Sequence, residues 1–152
     1  MANYKRVFLD GYSYFITVVT HRREHILIDN IELLRESFRE SKRYYEYDID
    51  AIVILPDHFH IIIRPKVATE YPKIIRAIKY NFSKRYNSDD IEQSMSRYRR
   101  GMRAIWQKRY YEHTIRDEED YMRCLDYIYT NPIKHEYISD ADGWEYSSFY
   151  KG

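Results

Sequence analysis

The sequence predicts an α+β fold: a βαββαβ antiparallel sheet with helices on one face and a further helix near the C-terminal end. Three observations predict it. Short β-branched and aromatic runs alternate with longer segments of helical periodicity, in the order strand, helix, strand, strand, helix, strand, helix. The 152 residues suffice for one compact domain and not comfortably for two. Only four Gly and four Pro occur, with no Ser/Gly-rich linker, so residues 1–152 are expected to form a single domain.

Residues 12–20 (YSYFITVVT) read as the first strand. Asp29 or Asn30 is placed to cap a helix in which Ile31, Leu34 and Phe38 keep helical spacing, expected to reach about residue 45. Residues 49–55 (IDAIVIL) form the second strand, Pro56 and Asp57 interrupt it, and residues 58–64 (HFHIIIR) form the third. So short an interruption predicts a hairpin. Helical periodicity returns over residues 71–86, with Ile74, Ile75, Ile78 and Phe82 on one side and Pro72 in the first turn, where a missing N–H costs nothing. Residues 87–101 are polar and fit a loop or a broken helix; residues 110–115 fit a short fourth strand. Asp117 opens the last helix, whose first-turn acids suit the macrodipole, and Pro132 disfavours continuation past Asn131. The first six elements match the ferredoxin-like split unit. That arrangement leaves the second sheet face for a ligand, with the last helix able to lie across it.

Lys and Arg number 25 against 24 Asp and Glu, so net charge says little about partners and its distribution says more. Between residues 97 and 116 stand Arg97, Arg99, Arg100, Arg103, Lys108, Arg109 and Arg116 against one acid, Glu112. Such a stripe fits a polyanion, though on charge alone a solvated face is the favoured reading. The 18 tyrosines suit base stacking as well as ordinary packing. One cysteine, Cys124, excludes an internal disulfide and argues against a thiolate cluster. No apolar run reaches membrane-span length and no signal-peptide pattern opens the chain, so a cytoplasmic location and no membrane partner are expected.

Two local patterns carry chemistry. In the third strand His58 and His60 share one face while Phe59 points to the other, with Cβ atoms roughly 7 Å apart, a span two imidazoles close around one ion. Phe59, Ile61 and Ile63 then face the helix-covered core. In the last helix Tyr127 and Asn131 lie one turn apart, and Arg123 falls on the same stripe, where a guanidinium can hold a phosphate. Tyr129 is a rival nucleophile on roughly the opposite side. Each pattern alone also fits ordinary surface residues.

Taken together, Pro56-Asp57-His58-Phe59-His60-Ile61-Ile62, Ile105-Trp106-Gln107-Lys108-Arg109-Tyr110-Tyr111-Glu112-His113, Ile115-Arg116-Asp117-Glu118-Glu119-Asp120 and Tyr127-Ile128-Tyr129-Thr130-Asn131-Pro132-Ile133-Lys134-His135 resemble the single-tyrosine HUH transposases of bacterial insertion sequences, in particular the REP-associated tyrosine transposases. Trp144-Glu145-Tyr146-Ser147-Ser148 resembles that family's terminal segment, so the likeness spans nearly the whole chain. The resemblance implies an HUH endonuclease fold, His58 and His60 as paired metal ligands, Asn131 as third ligand and Tyr127 as nucleophile. It implies a divalent Mg or Mn cofactor and a single-stranded DNA partner containing a hairpin or palindromic repeat. Cleavage would leave a 5′-phosphotyrosine and a free 3′-hydroxyl. A monomer is expected over a homodimer.

Arg97, Arg99, Arg100, Arg103, Lys108, Arg109, Arg116 and Arg123 are the expected DNA-backbone contacts. Trp106, Tyr110 and Tyr111 are candidates for base stacking, with Trp106 better suited to the core. Asp57 and His113 are candidates for supporting the site, or are structural. Two other classes stay open: a non-catalytic nucleic-acid-binding module, which would bind without cutting, and a metal-dependent enzyme on small phosphoesters, which would need a pocket and form no covalent adduct.

Overall fold

Residues 11–88 and 105–152 are described by the structure, a computed structural model. The alternation of apolar residues sets its strands: β1 (Ser13–Val19), β2 (Tyr47–Leu55), β3 (His58–Pro65) and β4 (Tyr111–Ile115). They form a four-stranded sheet in the order β2-β3-β1-β4, every neighbouring pair antiparallel. This is the expected ferredoxin-like order. Leu55 pairs with His58 across a two-residue turn at Pro56 and Asp57, so the predicted hairpin forms.

Helices α1 (Ile31–Ser41) and α2 (Tyr71–Ser88) cover one face. Tyr14, Ile16 and Val18 of β1 and Phe59, Ile61 and Ile63 of β3 pack there against Leu34, Phe38, Ile74, Ile78 and Phe82. Trp106 belongs to this core and donates its indole N–H to the Lys79 carbonyl at 3.1 Å, so its role is packing. Helix α1 stops short of the expected end near residue 45. The Ser41 hydroxyl bonds the Phe38 carbonyl at 2.7 Å and meets the Tyr47 phenol at 2.6 Å, and the Tyr44 and Tyr45 amides both turn back to the Ser41 carbonyl. Such side-chain competition for the backbone favours a turn over another helical round. Asn30 precedes the helix, but its amide bonds the Ile26 carbonyl rather than capping.

Helix α3 (Glu118–Lys134) crosses the second face, where Cys124 and Ile128 pack on Phe15, Ala51, Val53, Leu55 and Ile62. Asp117 caps it, its carboxylate accepting the Asp120 amide at 2.8 Å. The helix does not stop before Pro132, as the sequence suggested. Proline in the last turn removes one intrahelical bond, and the end is secured beyond it. The Tyr137 amide bonds the Pro132 carbonyl and the Glu136 amide the Ile133 carbonyl, both at 2.9 Å, with Glu136 at φ 61. That is a Schellman termination built on a glutamate instead of the usual glycine. Residues 144–148 then close the outer edge of β2, through Ile54 to Tyr146 and Ser148 to Ile52 backbone bonds. Among the described residues no helix is long and apolar enough to cross a membrane.

Candidate active site

The period-two register of β3 turns His58 and His60 away from the α1/α2 core and toward α3. Their neighbours across the sheet are Val19 and Thr17 of β1, and Phe15 lies one row further along the same face. Helix α3 brings Tyr127 over this surface. Its ring meets His60 edge-on at 5.0 Å and Phe15 at 5.7 Å, and the two histidine rings are 4.8 Å apart. A cleft of about 570 Å³ results, lined by Phe15, Thr17, Arg23, His58, His60, Tyr111, His113, Asp120, Arg123, Cys124, Tyr127, Lys134 and His135. Tyr127 is 38% exposed, and among the described residues no hydrogen bond occupies its phenol oxygen.

Both histidines are almost fully buried, and each commits Nδ1. The His58 Nδ1 lies 2.6 Å from Asp57 Oδ1. Burial raises the Asp57 carboxyl, but the His58 bond and Arg23, 3.1 Å from Oδ2, outweigh it and hold it below the usual range. An ionised carboxylate only accepts, so Nδ1 of His58 donates and Nε2 is the ring nitrogen left over for a ligand. The His60 Nδ1 sits 2.6 Å from the Thr17 hydroxyl, and its Nε2 is buried without a partner. Burial, with His58 nearby, pushes the His60 ring down to about 3, so it is neutral near pH 7. Two imidazoles with oriented rings and uncommitted Nε2 atoms suit a cation.

Asn131 follows Tyr127 by one helical turn and is fully buried, outside the residues that line the cleft. Both its side-chain oxygen and nitrogen lack partners. A buried amide left unsatisfied costs about 1–3 kcal/mol, and a bound ligand is one way to recover it. Two imidazole nitrogens and an unsatisfied amide are donors of the kind a divalent ion takes.

Tyr129, the rival tyrosine, donates its hydroxyl to Asp142 at 2.7 Å and packs on Phe149. That bond, with burial, raises its phenol above the ordinary value and takes it out of the cleft. On β4 His113 Nε2 lies 2.8 and 2.9 Å from the two Asp120 oxygens. Burial raises Asp120, but the His113 bond, the Arg116 amide and Arg123 bring it below its ordinary value. Cys124 completes a set with His113 and Asp120 whose donor atoms lie within 4.8 Å of one another. Burial and the Asp120 charge push its thiol up to about 11.

Of the expected DNA contacts, Arg123 lines the cleft while pairing with Glu119 at 3.2 Å. Lys108, Arg109 and Arg116 are exposed but are not in its lining. Arg97, Arg99, Arg100 and Arg103 lie outside the described residues. Tyr111 is exposed at the rim, edge-on to Phe15, and Tyr110 is half-buried against the core.

The cleft residues that sequence reasoning missed as candidates include Thr17, Arg23, Asp120, Lys134 and His135. His135 stands 5.1 Å from His58, and Lys134 sits 4.9 Å over the Tyr127 ring. Helical spacing would have found Lys134, seven residues and two turns beyond Tyr127. Arg23 had no such signal. It reaches Asp57 because Arg22 and Arg23 both adopt left-handed backbone, φ 53 at each. Non-glycine residues held there cost about 1–3 kcal/mol each and cluster at functional sites.

The fold and this cleft are compatible with one class, the tyrosine transposases, and it is the comparisons that establish it. The family model described as IS200-like transposase matches residues 9–131. The chain therefore belongs to the IS200-like transposase family, as a tyrosine transposase that binds DNA and acts in its transposition. It is 36% identical to a Haemophilus influenzae protein provisionally named a REP-associated tyrosine transposase, over 99% of this chain and 87% of that one. An Escherichia coli REP-associated tyrosine transposase is 32% identical, over 99% and 84%. A solved structure of a REP-associated tyrosine transposase bound to a REP hairpin superposes with a TM-score of 0.79 at 32% identity, covering 98% of this chain and 83% of that one.

Proposed function

We propose that the protein nicks and rejoins single-stranded DNA beside a hairpin, with a divalent metal ion and a 5′-phosphotyrosine intermediate on Tyr127. The observation that carries this reading is the shared cleft of Tyr127, His58 and His60, with the tyrosine ring 5.0 Å from His60. The relative solved with a REP hairpin supports a hairpin-containing substrate.

In this mechanism His58, His60 and Asn131 would hold Mg²⁺ or Mn²⁺, which would polarise and orient the scissile phosphate. Asp57 and Thr17 each engage Nδ1 of an imidazole, which would leave Nε2 of both for the ion. The Tyr127 hydroxyl attacks phosphorus in line, the P–O3′ bond breaks, and a 3′-hydroxyl departs. The phosphodiester survives as a tyrosine ester, so rejoining to another 3′-hydroxyl needs no nucleotide cofactor. Arg23, Arg123 and Lys134 supply cations along the cleft for the DNA backbone. Tyr111, exposed at the rim, offers a face for a base.

The test is a denaturing-gel adduct assay with labelled single-stranded hairpin oligonucleotides in Mg²⁺ or Mn²⁺. The wild type should form a metal-dependent protein–DNA adduct, and Tyr127→Phe and His58→Ala should lose it. An adduct that persists in Tyr127→Phe moves the chemistry to another residue. Tight hairpin binding with no adduct under either metal favours the non-catalytic binding module.

A further inference from the structure

Departure of a 3′-oxygen from phosphorus needs a proton, and the reading above leaves its donor unnamed. An in-line displacement puts the entering and departing oxygens on opposite sides of phosphorus. A proton donor must therefore stand in the same cleft as Tyr127 but on a different wall. Four histidines line the cleft: His58, His60, His113 and His135. The first two commit Nδ1 and turn Nε2 to the proposed ion, and His135 packs against His58. His113 stands apart. It projects from β4, paired in register with Phe15 of β1, the strand that lies between β4 and the β3 strand of His60. It is partly exposed, and its Nε2 is held by both oxygens of Asp120. Asp120 is fixed in turn by the Arg116 amide at 3.2 Å and sits in the first turn of the helix that carries Tyr127.

We infer that His113 is the general acid that protonates the leaving 3′-oxygen, with Asp120 as its positioning residue; the inference rests on the proposed tyrosine chemistry. With Nε2 on the carboxylate, Nδ1 exchanges the proton. As Tyr127 Oη bonds to phosphorus and gives up its proton to solvent, the P–O3′ bond breaks and its electron pair takes the proton from His113 Nδ1. Neutral His113 is then ready for the reverse step. It accepts the proton of an incoming 3′-hydroxyl as that oxygen attacks the phosphotyrosine, and the phenolate leaves and takes its proton back from solvent. One histidine thus serves cleavage and joining by turns. The donor atoms of His113, Asp120 and Cys124 lie close enough to suggest a second cation site instead. The carboxylate is already spent on the imidazole and the Arg116 amide, which favours proton transfer.

The test replaces the bridging 3′-oxygen at the cleavage site with sulfur, whose thiolate departs without a proton. Adduct formation in Mn²⁺ is compared on oxygen and sulfur substrates. His113→Ala and His113→Gln should be slowed on the order of 10²-fold on oxygen and restored to within about tenfold of wild type on sulfur. Asp120→Asn should show a weaker version of the same rescue, and Cys124→Ser should keep the wild-type ratio of oxygen to sulfur rates. Equal slowing on oxygen and sulfur, in a His113→Gln protein that still binds the hairpin, overturns the inference. So does a Cys124→Ser protein as impaired as His113→Ala, which points to a cation at those three residues. Tyr127→Phe separates the two readings. An adduct there on either substrate sinks the tyrosine assignment, whatever the histidine variants do.

Discussion

An imidazole with Nδ1 on a threonine hydroxyl and Nε2 buried without a partner resists protonation, and His60 is in that position. Its folded value of about 3 lies below the ordinary 6.5, so the unfolded chain binds this proton at a higher pH than the folded one. Stability from His60 is therefore complete above pH 6.5 and declines as pH falls toward 3. By pH 5 the linkage amounts to about 2 kcal/mol. His135, also lowered, chiefly by burial, pulls the same way, so the contribution of His60 is isolated by comparison with a variant. Urea midpoints measured without divalent metal at pH 7.5 and pH 5 should fall for wild type and fall distinctly less for His60→Gln. An equal fall in both would mean that His60 does not set the acid sensitivity. His58, His60 and Tyr127 were legible as candidates because local periodicities of two and 3.6 place them on particular faces. Arg23 was not, because its place depends on two left-handed residues and on a turn 34 residues away.

At the scale of elements, the start of α3 was readable and its end was not. A carboxylate before an apolar helical run is a local signal, and Asp117 acts on the third residue after it. Helix α3 carries Tyr127, Asp120, Arg123 and Asn131 over the sheet, so its first turn helps set the height of the whole site. Asp117→Ala should cost about 1 kcal/mol, seen as a lower urea midpoint with an unchanged slope. Asp117→Asn, which keeps a capping oxygen, should recover most of it. If both variants match wild type, the helix start is held by packing rather than by the cap. The misread end has an equally physical cause. Pro132 signals a stop in isolation, yet the two bonds from Glu136 and Tyr137 secure the helix beyond it without a glycine to announce them. The early end of α1 likewise depends on Ser41 meeting Tyr47, a contact between two elements.

For the molecule as a whole, the sheet is covered on both faces, and the uncommitted polar atoms at His60 and Asn131 sit between sheet and α3. An ion drawing ligands from β3 and from α3 would tie the last helix to the sheet, which ordinary apolar packing already does through Cys124 and Ile128. It would bind the folded chain and not the unfolded one, because two ligands come from a hairpin strand and the third from a helix 71 residues further on. Saturation at one hundred times the dissociation constant then adds about 2.7 kcal/mol. For a domain of this size that is a rise in melting temperature of roughly 5–10 °C. Thermal melts with Mn²⁺ against chelator should show the shift in wild type and in Tyr127→Phe, whose ring keeps its packing on Phe15 and His60. The shift should vanish in His58→Ala and shrink in Asn131→Leu, which fills the same buried space without a ligand atom. A shift that survives in His58→Ala would place the ion elsewhere, and His113→Ala in the same melt would report whether His113, Asp120 and Cys124 hold it.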